Sequence, residues 1–98
     1  MSKEKFLERS LYNNVKLLGG WAVKFWPVTL VGFPDRIILL PGASVKFVEL
    51  KTTGKKPTPK QTLMMEKLKR LGFDVRVIDS EEKLNQLIND CKHAIQAA

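Results

Sequence analysis

Residues 32–51 read GFPDRIILLPGASVKFVELK, and this stretch decides the fold of the 98-residue chain. Arg36–Leu40 is a short apolar run rich in isoleucine and leucine, and Val45–Lys51 has a second strand pattern. Pro41-Gly42 between them is a turn signal. The stretch therefore predicts two neighbouring strands in a hairpin or meander with a short connection.

Outward from this hairpin, hydrophobic periodicity and the glycine and proline residues that end helices and strands predict the remaining elements. They are a helix capped by Ser2 and ended by Gly19-Gly20, a strand over residues 21–26 closed by Pro27, a helix from Thr58 to Gly72, a strand over residues 73–78, and a last helix capped by Ser80. The predicted order is α-β-β-β-α-β-α. This order indicates an α/β fold, with a mixed sheet flanked by helices in a single domain over residues 1–98.

The helix after residue 57 has a strong start signal. Thr58 is a good N-cap, Pro59 suits the first helical position, and Gln61 falls where it completes a capping box. The apolar face of this helix is predicted to consist of Leu63, Met64, Leu68 and Leu71.

Charge and cysteine content restrict the class of protein. Lys and Arg number 17 against 10 Asp and Glu, a net charge of +7, which favours a polyanion or an anionic surface as partner over a charge that serves solubility alone. The single cysteine, Cys91, cannot form an intramolecular disulfide, so we expect a reducing compartment and a core position for its side chain. No apolar run has the length of a leader or a membrane span, which predicts an intracellular, cytoplasmic protein.

Asp35, Glu49 and Lys51 stand where a hydrophobic strand pattern does not require charge. Alternate residues of a strand share a face, so Glu49 and Lys51 project together beyond Val45 and Phe47. Phosphodiester hydrolysis needs a divalent cation held by one or two carboxylates, and a positive group near the attacking water or the developing oxyanion. These three residues can supply both. The alternative interpretation is a turn cap at Asp35 and a solvated ion pair at the end of the strand.

A family resemblance favours the first interpretation. Gly32-Phe33-Pro34-Asp35-Arg36, then Phe47-Val48-Glu49-Leu50-Lys51, then Gln61 resemble the VRR-NUC family of the PD-(D/E)XK nuclease superfamily. The similarity covers nearly the whole chain and includes Gly19-Gly20, Pro41-Gly42 and Gly72-Phe73-Asp74-Val75. Glu-x-Lys alone is a weak motif, but Gly-x-Pro-Asp-Arg before it and a glutamine near the start of the next helix make it specific.

The resemblance implies roles for the matched positions. Asp35 and Glu49 would bind Mg²⁺ or Mn²⁺ with help from the Leu50 carbonyl, and Lys51 would be the catalytic lysine. Gln61 would face the same site, and its capping role is compatible because the two roles can use different ends of the amide. A glutamate of the first helix completes such sites. Glu8, eleven residues before Gly19, is the predicted one, and Glu4 is the alternative, otherwise a surface residue that caps the helix.

Five basic residues are predicted to contact the DNA backbone. Lys55, Lys56 and Lys60 follow the catalytic strand closely, and Lys24 and Arg36 are predicted to flank it. The alternative for the lysine cluster is a solvated loop. Trp21 and Trp26 fall on opposite faces of the predicted first strand, so at most one is core. The other is predicted to pack at an interface or against a nucleotide, with the interface favoured.

The prediction for function is a metal-dependent, structure-selective DNA endonuclease. Minimal members of the family resemble Holliday-junction resolvases and pair as homodimers, which predicts a homodimer acting on four-way or other branched DNA. One alternative is a flap or nicking nuclease on branched DNA. The other is a non-catalytic nucleic-acid-binding module, against which the intact set of Asp35, Glu49 and Lys51 argues.

Overall fold

The computed structural model describes residues 2–26, 29–52 and 54–97. The elements occur in the predicted order: α1 (Lys3–Leu17), β1 (Trp21–Lys24), β2 (Arg36–Leu40), β3 (Ser44–Leu50), α2 (Pro59–Arg70), β4 (Asp74–Ile78) and α3 (Glu81–Ala97). The mixed α/β fold predicted from the sequence is confirmed. None of the described helices is long and apolar enough to cross a membrane.

The four strands form one sheet in the order β1-β2-β3-β4. β1 pairs with β2 and β2 pairs with β3, both antiparallel, so the predicted hairpin is present and pairs Arg36 with Val48. β3 and β4 run parallel, with Glu49 opposite Val77. Parallel neighbours cannot be joined by a tight turn, and α2 provides the crossover between them.

The helices cover the two faces of the sheet unequally. α1 and α3 pack on one face over the larger core, in which Leu7, Ile38, Val48, Leu84 and Leu87 are fully buried. α2 covers the other face over a smaller core of Phe47, Met65, Leu68 and Val75. The predicted core position of the cysteine is confirmed, because Cys91 is fully buried in the larger core.

The apolar face of α2 differs from the prediction. Met65 and Leu68 are the buried residues of this helix, whereas Leu63 and Leu71 are 66% and 69% exposed. Met65 and Leu68 lie three positions apart on one helix face and meet Phe47. The buried stripe therefore includes Met65, which the prediction left out, and excludes Leu63 and Leu71.

Strand ends also differ from the predicted bounds. The first strand stops at Lys24 instead of residue 26, although the Phe25 N–H still donates to the Asp35 carbonyl at 2.9 Å. Trp26 therefore lies beyond the strand. The predicted closing residue, Pro27, lies outside the described residues. β3 begins at Ser44 and ends at Leu50, one residue earlier at each end than predicted, and β4 begins at Asp74, one residue later than predicted.

The predicted helix caps are present. The Ser2 hydroxyl accepts from the Lys5 N–H at 3.2 Å, and the Ser80 hydroxyl accepts from the Lys83 N–H at 3.2 Å. These bonds satisfy backbone donors that the first turn of a helix leaves free. Local sequence therefore fixes where the first and last helices begin.

An ion network ties β3 and β4 to α3. Asp74 accepts from Lys46 at 2.7 Å and from both Nε and Nη2 of Arg76 at 2.9 Å, and Arg76 also binds Asp90 at 2.6 Å. Lys46 is buried, and its ammonium group is paired with the Asp74 carboxylate. These interactions lower the pKa of Asp74 to about 2, chiefly through the hydrogen bonds from Arg76.

We expect Asp74→Asn to lower the free energy of unfolding at pH 7 by at least about 1 kcal/mol, a figure that discounts the pKa shift for the partial exposure of the carboxylate. An acid whose pKa is lowered by folding stabilises the fold above its unfolded pKa, and the effect disappears as the pH falls through the folded value. The difference between parent and variant should therefore shrink from pH 5 to pH 2.

Urea unfolding at several pH values measures this difference. Glu66→Gln, at an exposed position of α2, serves as the control and should show no comparable effect at any pH. A difference for Asp74→Asn that is as large at pH 2 as at pH 7 would contradict the assignment.

Candidate active site

Two carboxylates meet where β2 begins and β3 ends. Asp35 precedes β2 directly, and the antiparallel register brings it beside Glu49. The Asp35 N–H donates to Glu49 Oε1 at 3.2 Å, and the Leu50 N–H donates to Asp35 Oδ1 at 3.2 Å. Each carboxylate therefore accepts a backbone N–H from the other residue's strand segment, and these two bonds fix both side chains against the sheet.

Lys51 and Gln61 approach the same oxygen of Glu49. Lys51 Nζ and Gln61 Nε2 both lie 3.4 Å from Glu49 Oε2. The other end of the Gln61 amide accepts from the Thr58 N–H at 2.9 Å, which completes the predicted capping box. Gln61 thus caps α2 and contacts the Glu49 carboxylate at the same time. These two contacts connect the start of the crossover helix directly to the site.

Strand alternation explains why these groups lie together. Phe47 and Glu49 share the face that α2 covers, and Phe47 is part of the smaller core. Glu49 is only 5% exposed, and the side chain of Lys51 is 19% exposed. The predicted face, apolar at its start and charged at its end, is confirmed.

Burial raises the pKa of both carboxyl groups. Desolvation is the largest cause for Asp35, against the lowering effect of the Arg36 charge and the Leu50 N–H. Desolvation again dominates for Glu49, the nearby Asp35 charge raises its pKa further, and Lys51 opposes both effects. Two like charges in a partly buried setting favour a bound cation, because the cation relieves both the repulsion and the desolvation.

Arg36 lies behind the pair instead of facing solvent. It is 5% exposed, and its guanidinium lies 3.2 Å from Asp35 Oδ2 and 3.1 Å from Glu8 Oε2. This geometry favours a positioning role for Arg36 over the predicted contact with DNA. Glu8, the predicted glutamate of the first helix, is occupied by this ion pair and by Lys24 at 4.0 Å.

The glutamate that reaches the site in this structure is Glu4, the alternative in the sequence analysis. Glu4 lines the cleft in front of the carboxylates, and its charge raises the pKa of Asp35. The cleft has a volume of about 400 Å³ and is lined by Glu4, Phe25, Trp26, Leu30, Val31, Gly32, Phe33, Asp35, Glu49, Leu50, Lys51 and Gln61. Glu8 is absent from that lining, so the position of the third acid stays a prediction for which the geometry favours Glu4.

The loop that closes the cleft depends on a glycine. Gly32 has φ of +88°, and a Cβ there would lie 2.9 Å from the backbone carbonyl of Lys60. A side chain at this position would therefore both strain the turn and push against the first turn of α2. The close contact holds the loop against the helix that carries Gln61.

The donor set fits a hard divalent cation. Among residues 2–26, 29–52 and 54–97, no three Asp, Glu, His or Cys side chains converge as a metal site. Asp35 and Glu49 are a pair, and Mg²⁺ is commonly bound by one or two carboxylates together with waters and substrate phosphates. Three carboxylates stand against one lysine in the cleft lining, so this region is locally acidic in a basic protein.

Four of the predicted DNA contacts are at the surface. Lys24, Lys55, Lys56 and Lys60 are exposed, the last three between the end of β3 and the first turn of α2. A larger cavity, of about 790 Å³, lies between α1 and β1 and is lined in part by Lys5, Arg9, Tyr12 and Trp21. It contains neither carboxylate of the pair, so cavity size does not identify the reactive centre here.

Comparison with known proteins matches residues 16–82 to the VRR-NUC domain. The chain belongs to the VRR-NUC family. A curated relative by sequence is "Putative nuclease p44" of Acyrthosiphon pisum secondary endosymbiont phage 1, 40% identical over 80 residues that cover 82% of this chain and 86% of the relative. A solved structure titled "VRR_NUC domain" has a TM-score of 0.84 and 29% identity, and the alignment covers 91% of this chain and 97% of that one.

The VRR-NUC match confirms the family predicted from the sequence. Its residue range includes Asp35, Glu49, Lys51 and Gln61, whereas Glu4 and Glu8 lie before its start. Sequence reasoning did not place Trp26 in the cleft, and it kept Glu4 only as the alternative to Glu8. The sequence pattern said little about either residue. Trp26 follows the end of a strand, and Glu4 lies on a helix with several candidate faces.

Proposed function

We propose that this VRR-NUC domain is a divalent-metal-dependent endonuclease that hydrolyses phosphodiester bonds of DNA. The observation that carries the proposal is the pair of interlocked, partly buried carboxylates at Asp35 and Glu49 with Lys51 beside them. A solvated ion pair at a strand end would have neither the burial nor the reciprocal backbone bonds. The VRR-NUC match and the relative named as a nuclease support the same class of reaction.

In this proposal Asp35 and Glu49 hold Mg²⁺ or Mn²⁺, and the Leu50 carbonyl is a further candidate ligand. When bound, the ion would supply Lewis acidity and would lower the pKa of the attacking water. Arg36 fixes the orientation of Asp35, and Gln61 fixes that of Glu49. Lys51 lies on the Glu49 side, where its ammonium group can orient the attacking water and stabilise negative charge that develops on the phosphate.

Branched DNA, including four-way junctions, is the proposed substrate, and a homodimer is the proposed assembly. Two sites related by a two-fold axis can cut opposing strands of a symmetric branch. Trp21 is 59% exposed and pairs in register with Leu39, which is 38% exposed. This apolar pair at the edge of the sheet supports an interface between two copies.

Exposed lysines between β3 and α2 are proposed to hold the DNA backbone. We expect Lys55→Ala combined with Lys56→Ala to weaken binding and to reduce the slope of log K against log salt by up to about 2, because each lost phosphate contact removes about 0.9. The measurement is a titration of labelled DNA at several salt concentrations. Lys67→Ala with Lys69→Ala, at the far end of α2, should leave the slope unchanged, and equal slopes for both pairs would contradict the assignment.

The proposal is tested by cleavage of a labelled four-way junction beside linear duplex and flap DNA, with Mn²⁺, Mg²⁺ or EDTA. Paired symmetric cuts confined to the junction, lost in EDTA, are the expected result. Sedimentation of the same preparation measures the oligomeric state. Metal-dependent cuts in flaps or single nicks would favour the flap or nicking nuclease, and binding without cleavage in either metal would favour the non-catalytic module.

A further inference from the structure

One wall of the cleft is apolar and exposed, although phosphodiester hydrolysis requires only charged and polar groups. Trp26 is 74% exposed, Leu30 is 45% exposed and Val31 is 65% exposed, and all three line the cleft that contains Asp35 and Glu49. Large apolar side chains grouped at a concave site usually mark a surface that binding covers. The wall therefore needs an occupant with an apolar face.

The wall rests on a rigid base. The Phe25 and Phe33 rings meet edge to face at 5.3 Å, and Phe33 meets Phe47 in the same way at 5.5 Å. Phe47 belongs to the smaller core, and Phe33 packs against that core. The rings of Phe25 and Phe33, which also line the cleft, are therefore connected to the sheet through Phe47.

The ammonium group of Lys24 lies beside the Trp26 ring. Lys24 Nζ lies 5.6 Å from the centroid of the Trp26 ring, within the range of a cation–π contact. The high exposure of Trp26 leaves most of the ring accessible to a ligand. A flat apolar surface beside an ammonium group matches a nucleotide, because its base stacks on aromatic rings and its phosphate pairs with lysine.

We infer that Trp26, with Leu30 and Val31, forms a nucleobase subsite that receives an unstacked base next to the scissile phosphate, with Lys24 at a neighbouring phosphate. This inference rests on the proposed function and deepens it. A base inside an intact duplex has both faces covered by its neighbours, whereas a base at a branch or flap has a free face. The subsite therefore favours DNA in which a base at the cleavage position can unstack, as at the branch point of a junction or flap.

Binding of flap DNA to a Glu49→Gln chain tests the subsite without cleavage. Fluorescence anisotropy would compare flaps carrying normal nucleotides with flaps made abasic at the unpaired positions beside the branch. We expect Trp26→Ala to raise Kd for the normal flap roughly tenfold, within the range that base–aromatic stacking supplies. Trp26→Phe should retain most of the affinity, and Trp26→Ala should not weaken binding of the abasic flap or of a linear duplex.

Leu71→Ala is the control, because Leu71 is also a large exposed apolar residue and does not line this cleft. Its affinity for normal and abasic flaps should equal that of the Glu49→Gln parent. Trp21→Phe supplies a second readout, since Trp26 is then the sole tryptophan. Its fluorescence should be quenched by the normal flap and not by the abasic one.

Equal loss of affinity for normal and abasic flaps in Trp26→Ala would overturn the subsite, as would no loss for either. If that variant also changes from dimer to monomer in sedimentation, the wall belongs to an interface between two copies. Failure of the proposed function is a separate result. It would appear as no cleavage by the unsubstituted chain, which the binding comparison does not measure.

Discussion

Glu49→Gln is expected to reduce DNA cleavage at least about a thousandfold while DNA binding remains within about twofold of the parent. The substitution removes one of the two carboxylate charges proposed to hold the metal, and metal stabilisation of the transition state amounts to several kcal/mol. Binding should persist because the proposed phosphate contacts are lysines outside the carboxylate pair. Single-turnover cleavage in Mn²⁺ and anisotropy with the same DNA measure the two effects.

The same variant should be no less stable than the parent in metal-free buffer. Burial and the Asp35 charge raise the pKa of Glu49, and an acid whose pKa is raised by folding destabilises the folded state at neutral pH. The amide can still accept from the Asp35 N–H. Glu66→Gln, at an exposed position, controls for a change of charge and should cleave like the parent. Parental cleavage by Glu49→Gln would show that the proposed site is wrong.

Lys51→Met is expected to lower the single-turnover rate by about 10²- to 10³-fold, the effect of removing one preorganised group that stabilises transition-state charge. The methionine keeps the length of the side chain and removes the ammonium group that lies 3.4 Å from Glu49 Oε2. Mn²⁺ affinity should not fall, because the lost group is a cation and no ligand. Rate and metal affinity are measured on the same preparation.

Lys92→Met, at an exposed position of α3 on the opposite side of the sheet, is the control for loss of a lysine. It should retain the parental rate. A Lys51→Met rate within threefold of the parent would remove this lysine from the mechanism. A matching loss of Mn²⁺ affinity would instead assign it to the architecture of the site.

The sequence predicted the parts of the site that local rules control. Alternation along β3 placed Glu49 and Lys51 on one face, and the capping signal at Thr58 placed Gln61 at the first turn of α2. Both rules act over a few residues, so no knowledge of the tertiary structure was needed. The contact between the Gln61 amide and Glu49 followed because helix start and strand end are brought together by the crossover.

The parts that sequence reasoning missed depend on tertiary packing. The helical period left Glu4 and Glu8 both possible, and only the position of buried Arg36 shows which of them is engaged in an ion pair. The predicted apolar face of α2 left out Met65, which is buried, and included Leu63 and Leu71, which are exposed. Which residues of α2 are buried depends on the packing of this helix against the smaller core, and the helical period alone does not determine it.

The tryptophans illustrate the same limit. Strand alternation placed Trp21 and Trp26 on opposite faces, and both are exposed in the structure. The strand ends before Trp26, and this residue lines the same cleft as Asp35 and Glu49. A residue beyond a strand end has no period to predict its direction, so its place in the cleft appears only in the folded chain.

The central claim is that Asp35 and Glu49 hold the metal ion on which cleavage depends. Calorimetric titration of Mn²⁺ into the parent, Asp35→Asn and Glu66→Gln chains tests it most directly, with cleavage followed in the same buffers. The account predicts that Asp35→Asn weakens Mn²⁺ binding at least about tenfold and loses cleavage in parallel, whereas Glu66→Gln matches the parent. Parental Mn²⁺ affinity in Asp35→Asn, or parental cleavage in EDTA, would contradict it.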